Sequence, residues 1–237
     1  MTTEVLKFSA ESAKKAAEIL KRGGLVAIPT ETVYGLAANA LDENAVRKIF
    51  KAKGRPQDNP LIVHISGIEM LPPLVKNIPE IAKRLAERFW AGPLTMIFPK
   101  SDKIPDVTSG GLDTVAVRMP ESKAAREIIK KCGFPLAAPS ANLSGKPSPT
   151  SAAHVFEDMN GKIPLIIAGG ECLVGVESTV ICFKDGKIHI LRPGGITEKM
   201  LAEFGEVEVD KAVTAQPKAD ERVLSPGMKY KHYSPKA

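Results

Sequence analysis

The chain has 237 residues, 43% of them hydrophobic and 25% charged, ordinary globular proportions that exclude a largely disordered, collagen-like or coiled-coil protein. Its 33 Lys and Arg outnumber 27 Asp and Glu by six, and only 5% of residues are aromatic, thin for a protein that stacks bases along single-stranded nucleic acid. Three scattered cysteines, Cys132, Cys172 and Cys182, exclude a disulfide framework and a CxxC zinc site and read as small buried hydrophobes.

In chain order, Ser9 is placed to cap a helix running to about Lys21, with Ala13, Ala16, Ala17 and Leu20 at helical spacing and a Gly pair as its stop. Leu25–Ile28 and Val33–Ala38 read as short strands around Pro29. Asp42 caps a second helix that Gly54 ends. Leu61–Ile65 is strand-like, and Pro79 opens a helix carrying Ile81, Leu85 and Phe89. Leu94–Phe98 and Thr114–Met119 are strands, Ser122–Lys131 a helix, and Pro135–Ala138 a short strand entering a polar loop. Thr150 caps a helix to about Met159. Leu165–Ala168, Thr179–Phe183 and Ile188–Leu191 are strands, the last two joined through Asp185-Gly186, a hairpin signal. Thr197 caps a final helix, and Glu206–Val209 is an edge strand. This order predicts a mixed sheet packed against helices. Residues 211–237 are polar and rich in Lys and Pro, and read as an arm following a unit of residues 1–210. The first residues carry no basic stretch followed by an apolar one, and no apolar run approaches the ~18 residues of a membrane span, so the expected compartment is the cytoplasm.

Walker, Rossmann, HExxH, GxSxG and EF-hand signatures are absent from the sequence. What remains is a set of polar segments punctuated by Gly and Pro at strand ends, where α/β proteins gather their sites. Thr30, Glu31, Thr32 and Tyr34 crowd a sharp turn. That turn is also what a tight strand connection with self-bonding side chains looks like. Arg55, between Gly54 and Pro56, is a fork donor on a stiff loop, suited to phosphate or carboxylate. Lys53 closes a helix, where a cation is favoured by the dipole alone. His64 lies in a strand pattern and, taken alone, is more often a satisfied core residue than a catalyst. Strand alternation places Thr114, Ala116 and Arg118 on one face, so Arg118 needs either a structural carboxylate or a bound anion. Residues 137–150 open a small-residue strand end into hydroxyls, an amide and Lys146, a cradle for phosphate or ribose oxygens. Ser178 opens one strand and Arg192 closes another. Several cations, many hydroxyls and few nucleophiles point to transfer chemistry on a nucleotide, where alignment and charge stabilisation carry the catalysis.

The strings PTETVYGL (29–36), KGRPQDNPLIVH (53–64), WAGPLTMIF (90–98), TVAVRMP (114–120), PLAAPSANLSGKPSPTSAAHV (135–155), ESTVI (177–181) and LRPGGIT (191–197) together resemble the YrdC-type threonylcarbamoyl-adenylate synthases. The resemblance implies a twisted mixed sheet flanked by helices, with a concave, basic face. It implies that L-threonine, bicarbonate or CO2, and ATP give threonylcarbamoyl-AMP and pyrophosphate. Mg2+ would be held mainly by the phosphates, and the product would pass to a tRNA threonylcarbamoyltransferase complex. By motif position, Lys53, Arg55, Ser140 and Asn142 match the catalytic signature. Thr32, Tyr34, His64, Arg118, Ala138 and Ser178 would serve threonine. Arg55, Asn59, Thr114, Ser140, Ser148, Arg192 and Tyr230 would serve the nucleotide. The tail resembles the linker of the family's longer form, with the second domain of that form expected to be missing. Two alternatives stand beside this reading: a carbamoyl-adenylate-forming enzyme of the hydrogenase-maturation type, and a non-catalytic module with weak RNA binding.

Overall fold

The computed structural model describes residues 2–210; Tyr230 and the arm expected at 211–237 lie outside them. Eleven strands form one sheet: β1 (Glu4–Lys7), β2 (Val26–Ile28), β3 (Gly35–Asn39), β4 (Ile62–His64), β5 (Leu94–Pro99), β6 (Thr114–Arg118), β7 (Leu136–Ala137), β8 (Leu165–Ala168), β9 (Thr179–Lys184), β10 (Lys187–Arg192) and β11 (Val207–Val209). Their spatial order is β1-β8-β2-β3-β7-β4-β6-β5-β9-β10-β11. The pairing is mixed: β4–β6 and β5–β9 run parallel, while β3–β7, β4–β7 and β5–β6 run antiparallel. The expected mixed sheet is therefore the observed one. The parallel edge strand β1, beside β8, has no apolar alternation and was not expected; both it and β8 are fixed by backbone pairing.

The helices are α1 (Ala10–Lys21), α2 (Glu43–Lys53), α3 (Glu80–Phe89), α4 (Asp106–Ser109), α5 (Lys123–Cys132), α6 (Ala152–Met159) and α7 (Glu198–Ala202). Ser9 caps α1 in a reciprocal capping box with Ser12. Asp42 caps α2, and Gly54 ends it at φ 62°, the left-handed conformation glycine adopts without strain. The cap of α6 is Ser151, not Thr150. Ser151 is extended and its hydroxyl accepts from His154 N, whereas Thr150 Oγ1 pairs with the His154 ring.

One sheet face packs against α2, α3, α6 and α7 in the main core, through residues such as Val46, Ile49, Leu85, Phe89, Val155 and Leu201. The opposite face is divided. Its first half, over β8, β2, β3 and β7, is covered by α1 and α5. Its second half carries the small cluster Ile62, Ile97, Ala116, Val180 and Leu191, to which no described helix contributes. A cavity opens where the two halves meet. Of the cysteines, Cys132 is buried, but Cys172 and Cys182 are only half-buried, so the expectation of three buried thiols holds for one. Burial pushes Cys132 up to about 12 and the other two up to about 11, which leaves all three as inert thiols near neutrality.

Candidate active site

The cavity is an open cleft of about 560 Å³, counted with the solvent space at its mouth. Thr32, Arg55, His64, Arg118, Ala138, Ser140, Ser178 and Arg192 all line it, together with Thr30 and Glu177. Segments far apart in the chain meet here because the strand order brings their ends together. β4 and β6 run parallel and in register, so His64 lies directly beside Arg118. Across β6, Arg118 faces Thr95 of β5. The two-residue strand β7 lies between β3 and β4 and exits through Ala138–Ser140 into the cavity wall.

The turn from β2 to β3 is held by its own hydroxyls. Thr30 Oγ1 donates to Val33 O at 2.6 Å and accepts from the backbone N–H of Thr32 and of Val33. The turn is also stitched to the loop after β7: Leu36 N donates to Pro139 O, Ala141 N to Tyr34 O, and Tyr34 N to Pro149 O. Gly35 permits this approach, since a Cβ there would come within 3.1 Å of the Ala138 methyl.

Arg118 is 3% exposed and finds the structural carboxylate that its position demanded. Its Nη2 pairs with Glu31 Oε1 at 2.5 Å, its Nη1 donates to Thr32 Oγ1 at 2.8 Å, and its Nε donates to Gly92 O. Glu31 Oε2 accepts from the backbone N–H of Ser122, the N-cap of α5. Burial works to raise the Glu31 pKa, but the Arg118 charge and hydrogen bonds outweigh it and hold the carboxyl below its usual range. Glu31 is the residue that sequence reasoning missed; the signal was a carboxylate inside PTETVYGL opposite an Arg on a strand face.

His64 is buried as well. Its ring Nδ1 approaches Ile62 O at 3.2 Å, and burial with the neighbouring Arg118 charge pulls its pKa down to about 3. The ring is therefore neutral, and donation from Nδ1 leaves Nε2 as an acceptor. The bland reading of a satisfied histidine and the cavity-lining position hold together.

A β-bulge aims Arg192. Ile188 and Ile190 point into the main core, so strict alternation would send Arg192 there too. The register shifts between Ile190 and Arg192, which places Arg192 opposite Val180 on the cavity face. Its Nε and Nη2 donate to Ser178 O, and Nη2 also donates to Ser178 Oγ at 3.1 Å. Thr95 Oγ1 lies 2.7 Å from the same Ser178 hydroxyl. Gly194 allows the packing behind it: a Cβ there would come within 2.4 Å of both Glu177 O and Thr179 N.

The other expected site residues do not line the cavity. Lys53, expected to be catalytic, is buried behind the wall. Its Nζ donates to Ser140 O, Asn142 O and Asn142 Oδ1 at 2.5, 2.6 and 3.2 Å. Burial and the Arg55 charge pull its pKa down to about 7, with Asp158 opposing, while three acceptors around Nζ match the three protons of an ammonium. Asn142, expected beside it, turns its amide back onto Leu143 O and Lys146 O. Both residues shape the loop instead of facing the cavity. Tyr34 is fully buried, and its hydroxyl donates to Gly170 O and accepts from Gly169 N. Asn59 is buried in the loop after Arg55, and Thr114 starts β6. Ser148 donates to Glu177 Oε1 at 2.6 Å, at the cavity rim. Arg55 reaches the cavity, with Nη2 weakly bonded to Pro60 O. Among the described residues no group of three or more His, Cys, Asp or Glu could hold a metal, and no helix is long and apolar enough to cross a membrane.

A mixed sheet whose strand ends and loops bring three guanidinium groups, a neutral imidazole and several hydroxyls into one cavity defines an α/β protein with a polar, cation-rich cleft. The chain belongs to the Sua5–YciO–YrdC family, whose model, described as telomere recombination, matches residues 18–194. A second model, described as the threonylcarbamoyl-AMP synthase C-terminal domain, matches residues 196–237. The expectation that this domain is missing is thereby corrected: the part beyond residue 195 carries its sequence signal. Within it only residues 211–237, polar and with little apolar periodicity, read from sequence as a linker; 196–210 read as a helix and an edge strand. Threonylcarbamoyl-AMP synthase of Pyrococcus abyssi is 57% identical over 223 residues, covering 94% of this chain and 65% of that protein. The Bacillus subtilis synthase is 50% identical, covering 99% and 68%. The chain thus spans about two thirds of the length of these curated relatives. The structure of P. abyssi Sua5 complexed with L-threonine matches with a TM-score of 0.94 at 53% identity, over 98% of this chain and 69% of that one. A full-length HypF in its phosphate- and nucleotide-bound form matches with a TM-score of 0.66 at 25% identity, over 75% of this chain and 28% of that one.

Proposed function

We propose that this chain makes L-threonylcarbamoyl-AMP from L-threonine, bicarbonate or CO2, and ATP, releasing pyrophosphate. One observation carries the reading: Thr32, His64, Arg118, Ala138 and Ser178 converge in one cavity, in a chain 53% identical to a protein solved with L-threonine. Within this reading those residues contact the amino acid, and Tyr34 supports the turn that presents Thr32. Arg118 offers the threonine carboxylate the N–H groups that its bonds to Glu31, Thr32 and Gly92 leave over. Arg55, Ser140 and Arg192 face the nucleotide, with Asn59, Thr114 and Ser148 on the segments around them and Tyr230 beyond the described residues.

The threonine amine captures CO2 as a carbamate, a carbamate oxygen attacks the α-phosphorus, and pyrophosphate leaves. The site's part is alignment and offset of the developing charge by its guanidinium groups. Mg2+ fits as an ion carried by the triphosphate, since Glu31 is spent on Arg118 behind the cavity and Glu177, the carboxylate among the described lining residues, accepts from Ser148. Residues 1–210 would form the catalytic unit, followed by 211–237 as sequence matching the C-terminal-domain model. The product would go to a tRNA-modifying transferase in the cytoplasm. The synthase reading is favoured over the carbamoyl-adenylate alternative by the 50–57% identity of the synthase relatives.

Calorimetric titration with L-threonine tests the reading. The chain should bind L-threonine, and Arg118→Lys should weaken binding about tenfold or more, because a point charge does not replace a planar fork. No binding of L-threonine to the unmodified chain would overturn it.

A further inference from the structure

A hydroxyl carries one proton, so the bonds around it decide what it offers to a ligand. Thr30 Oγ1 lies 2.6 Å from Val33 O, a separation that calls for a donated proton. With that proton spent, Thr30 meets Thr32 Oγ1, 2.9 Å away, as an acceptor, and Thr32 is the donor; the backbone N–H groups of Thr32 and Val33 that also reach Thr30 Oγ1, at the longer distance of 3.3 Å each, share its other lone pair. Arg118 Nη1 donates to the same Thr32 oxygen at 2.8 Å. Thr32 lines the cavity with one lone pair left and no proton.

The second cavity hydroxyl is set the opposite way. Thr95 is fully buried, and Ser178 Oγ at 2.7 Å is its hydroxyl's one hydrogen-bond partner among the described residues. If Thr95 accepted that bond, its own proton would be buried without an acceptor, which costs free energy. Thr95 therefore donates. Ser178 Oγ also accepts from Arg192 Nη2 at 3.1 Å, so both its lone pairs are taken and its proton points to the cavity it lines.

We propose that Thr30 and Thr95 are positioning residues that fix the two cavity hydroxyls in opposite senses, Thr32 as an acceptor and Ser178 as a donor. A ligand that fits places an N–H or O–H against Thr32 and an anionic oxygen against Ser178. On the synthase reading, on which only this consequence rests, the amine or hydroxyl of threonine faces Thr32, and a carboxylate or carbamate oxygen faces Ser178. A ligand seated in reverse would oppose lone pair to lone pair and proton to proton, so the pair discriminates orientation as well as identity.

Neutron diffraction from deuterium-exchanged, ligand-free crystals of the full chain reads the hydroxyls directly. The expected map has the deuteron between Thr30 and Thr32 on Thr32, and that between Thr95 and Ser178 on Thr95. A deuteron on Thr30 directed at Thr32, or on Ser178 directed at Thr95, would overturn the proposal. L-threonine titrations of Thr95→Val, Ser178→Ala and the double variant then test the coupling. Thr95→Val should weaken binding about fivefold, Thr95→Ser should restore it, and Thr95→Val should add nothing in the Ser178→Ala background. Independent, additive losses would refute action through Ser178. If the unmodified chain binds no L-threonine, the synthase reading falls, while the neutron map still decides the hydroxyl polarity.

Discussion

Glu31 and Arg118 are each about 4% exposed at the side chain, and neither tolerates the loss of the other. Removing one partner of a buried pair leaves an uncompensated charge, at a cost of about 3–5 kcal/mol. Glu31→Gln should therefore lower stability in urea unfolding by an amount of that order; a change under about 1 kcal/mol would show that Arg118 finds another counter-charge. His64 and Glu31 also set the acid response. His64, with a folded pKa of about 3 against 6.5 in the unfolded chain, stays neutral while the unfolded form takes up a proton. Its contribution is whole above about pH 6.5 and declines toward pH 3, by roughly 5 kcal/mol at the limit. Glu31, with its pKa lowered, adds stability that is present above pH 4.5 and lost as pH falls through its folded value. His64→Gln should flatten the stability profile between about pH 6 and 4. An unchanged slope would mean that the imidazole is not buried neutral. At this scale the sequence showed that Arg118 needed a partner but not which one, since Glu31 sits 87 positions away and only the sheet order joins them.

At the scale of elements, the site depends on two fasteners. The first is the end of α2. Lys53 Nζ grips the loop after β7 at Ser140 and Asn142, and Ser144 N donates to Lys53 O. Lys53→Met should speed amide exchange across residues 140–146 while leaving 177–179 protected; equal protection in both would remove Lys53 as the clamp. The second is the close approach of the β10 exit to the β9 entry. Gly194→Ala drives a Cβ into Glu177 O and Thr179 N, so it should displace Ser178 and lower kcat/KM by about 10²-fold or more. Wild-type kinetics in this variant would refute that packing. Most elements were legible because their signals are local: caps at Ser9, Asp42 and Thr197, the left-handed glycine at 54, and the Asp185-Gly186 turn at φ 52° and 76°. The bulge at Arg192 was not, because a one-residue register shift leaves no trace in composition. Nor was β1, whose place comes from pairing with β8 across 160 residues of chain.

For the whole molecule, the uneven cover of one sheet face creates the site. α1 and α5 bury the half over β8, β2, β3 and β7, and the ends of β4, β6 and β9 meet the loop after β7 beside them. The motif strings marked which segments mattered. They could not separate residues that face the cavity from those that build its wall, because Lys53, Tyr34 and Asn142 sit in the same strings as Arg55, Thr32 and Ser140. On the proposed reading, this cavity joins an amino acid to the AMP part of ATP. Pyrophosphate release from ATP with Mg2+, L-threonine and bicarbonate, beside controls lacking each of the last two or carrying L-serine, tests it most directly. Release should require both L-threonine and bicarbonate and fall sharply in Arg118→Lys; release indifferent to L-threonine, or none from a chain that binds both ATP and L-threonine, would refute the proposed reaction.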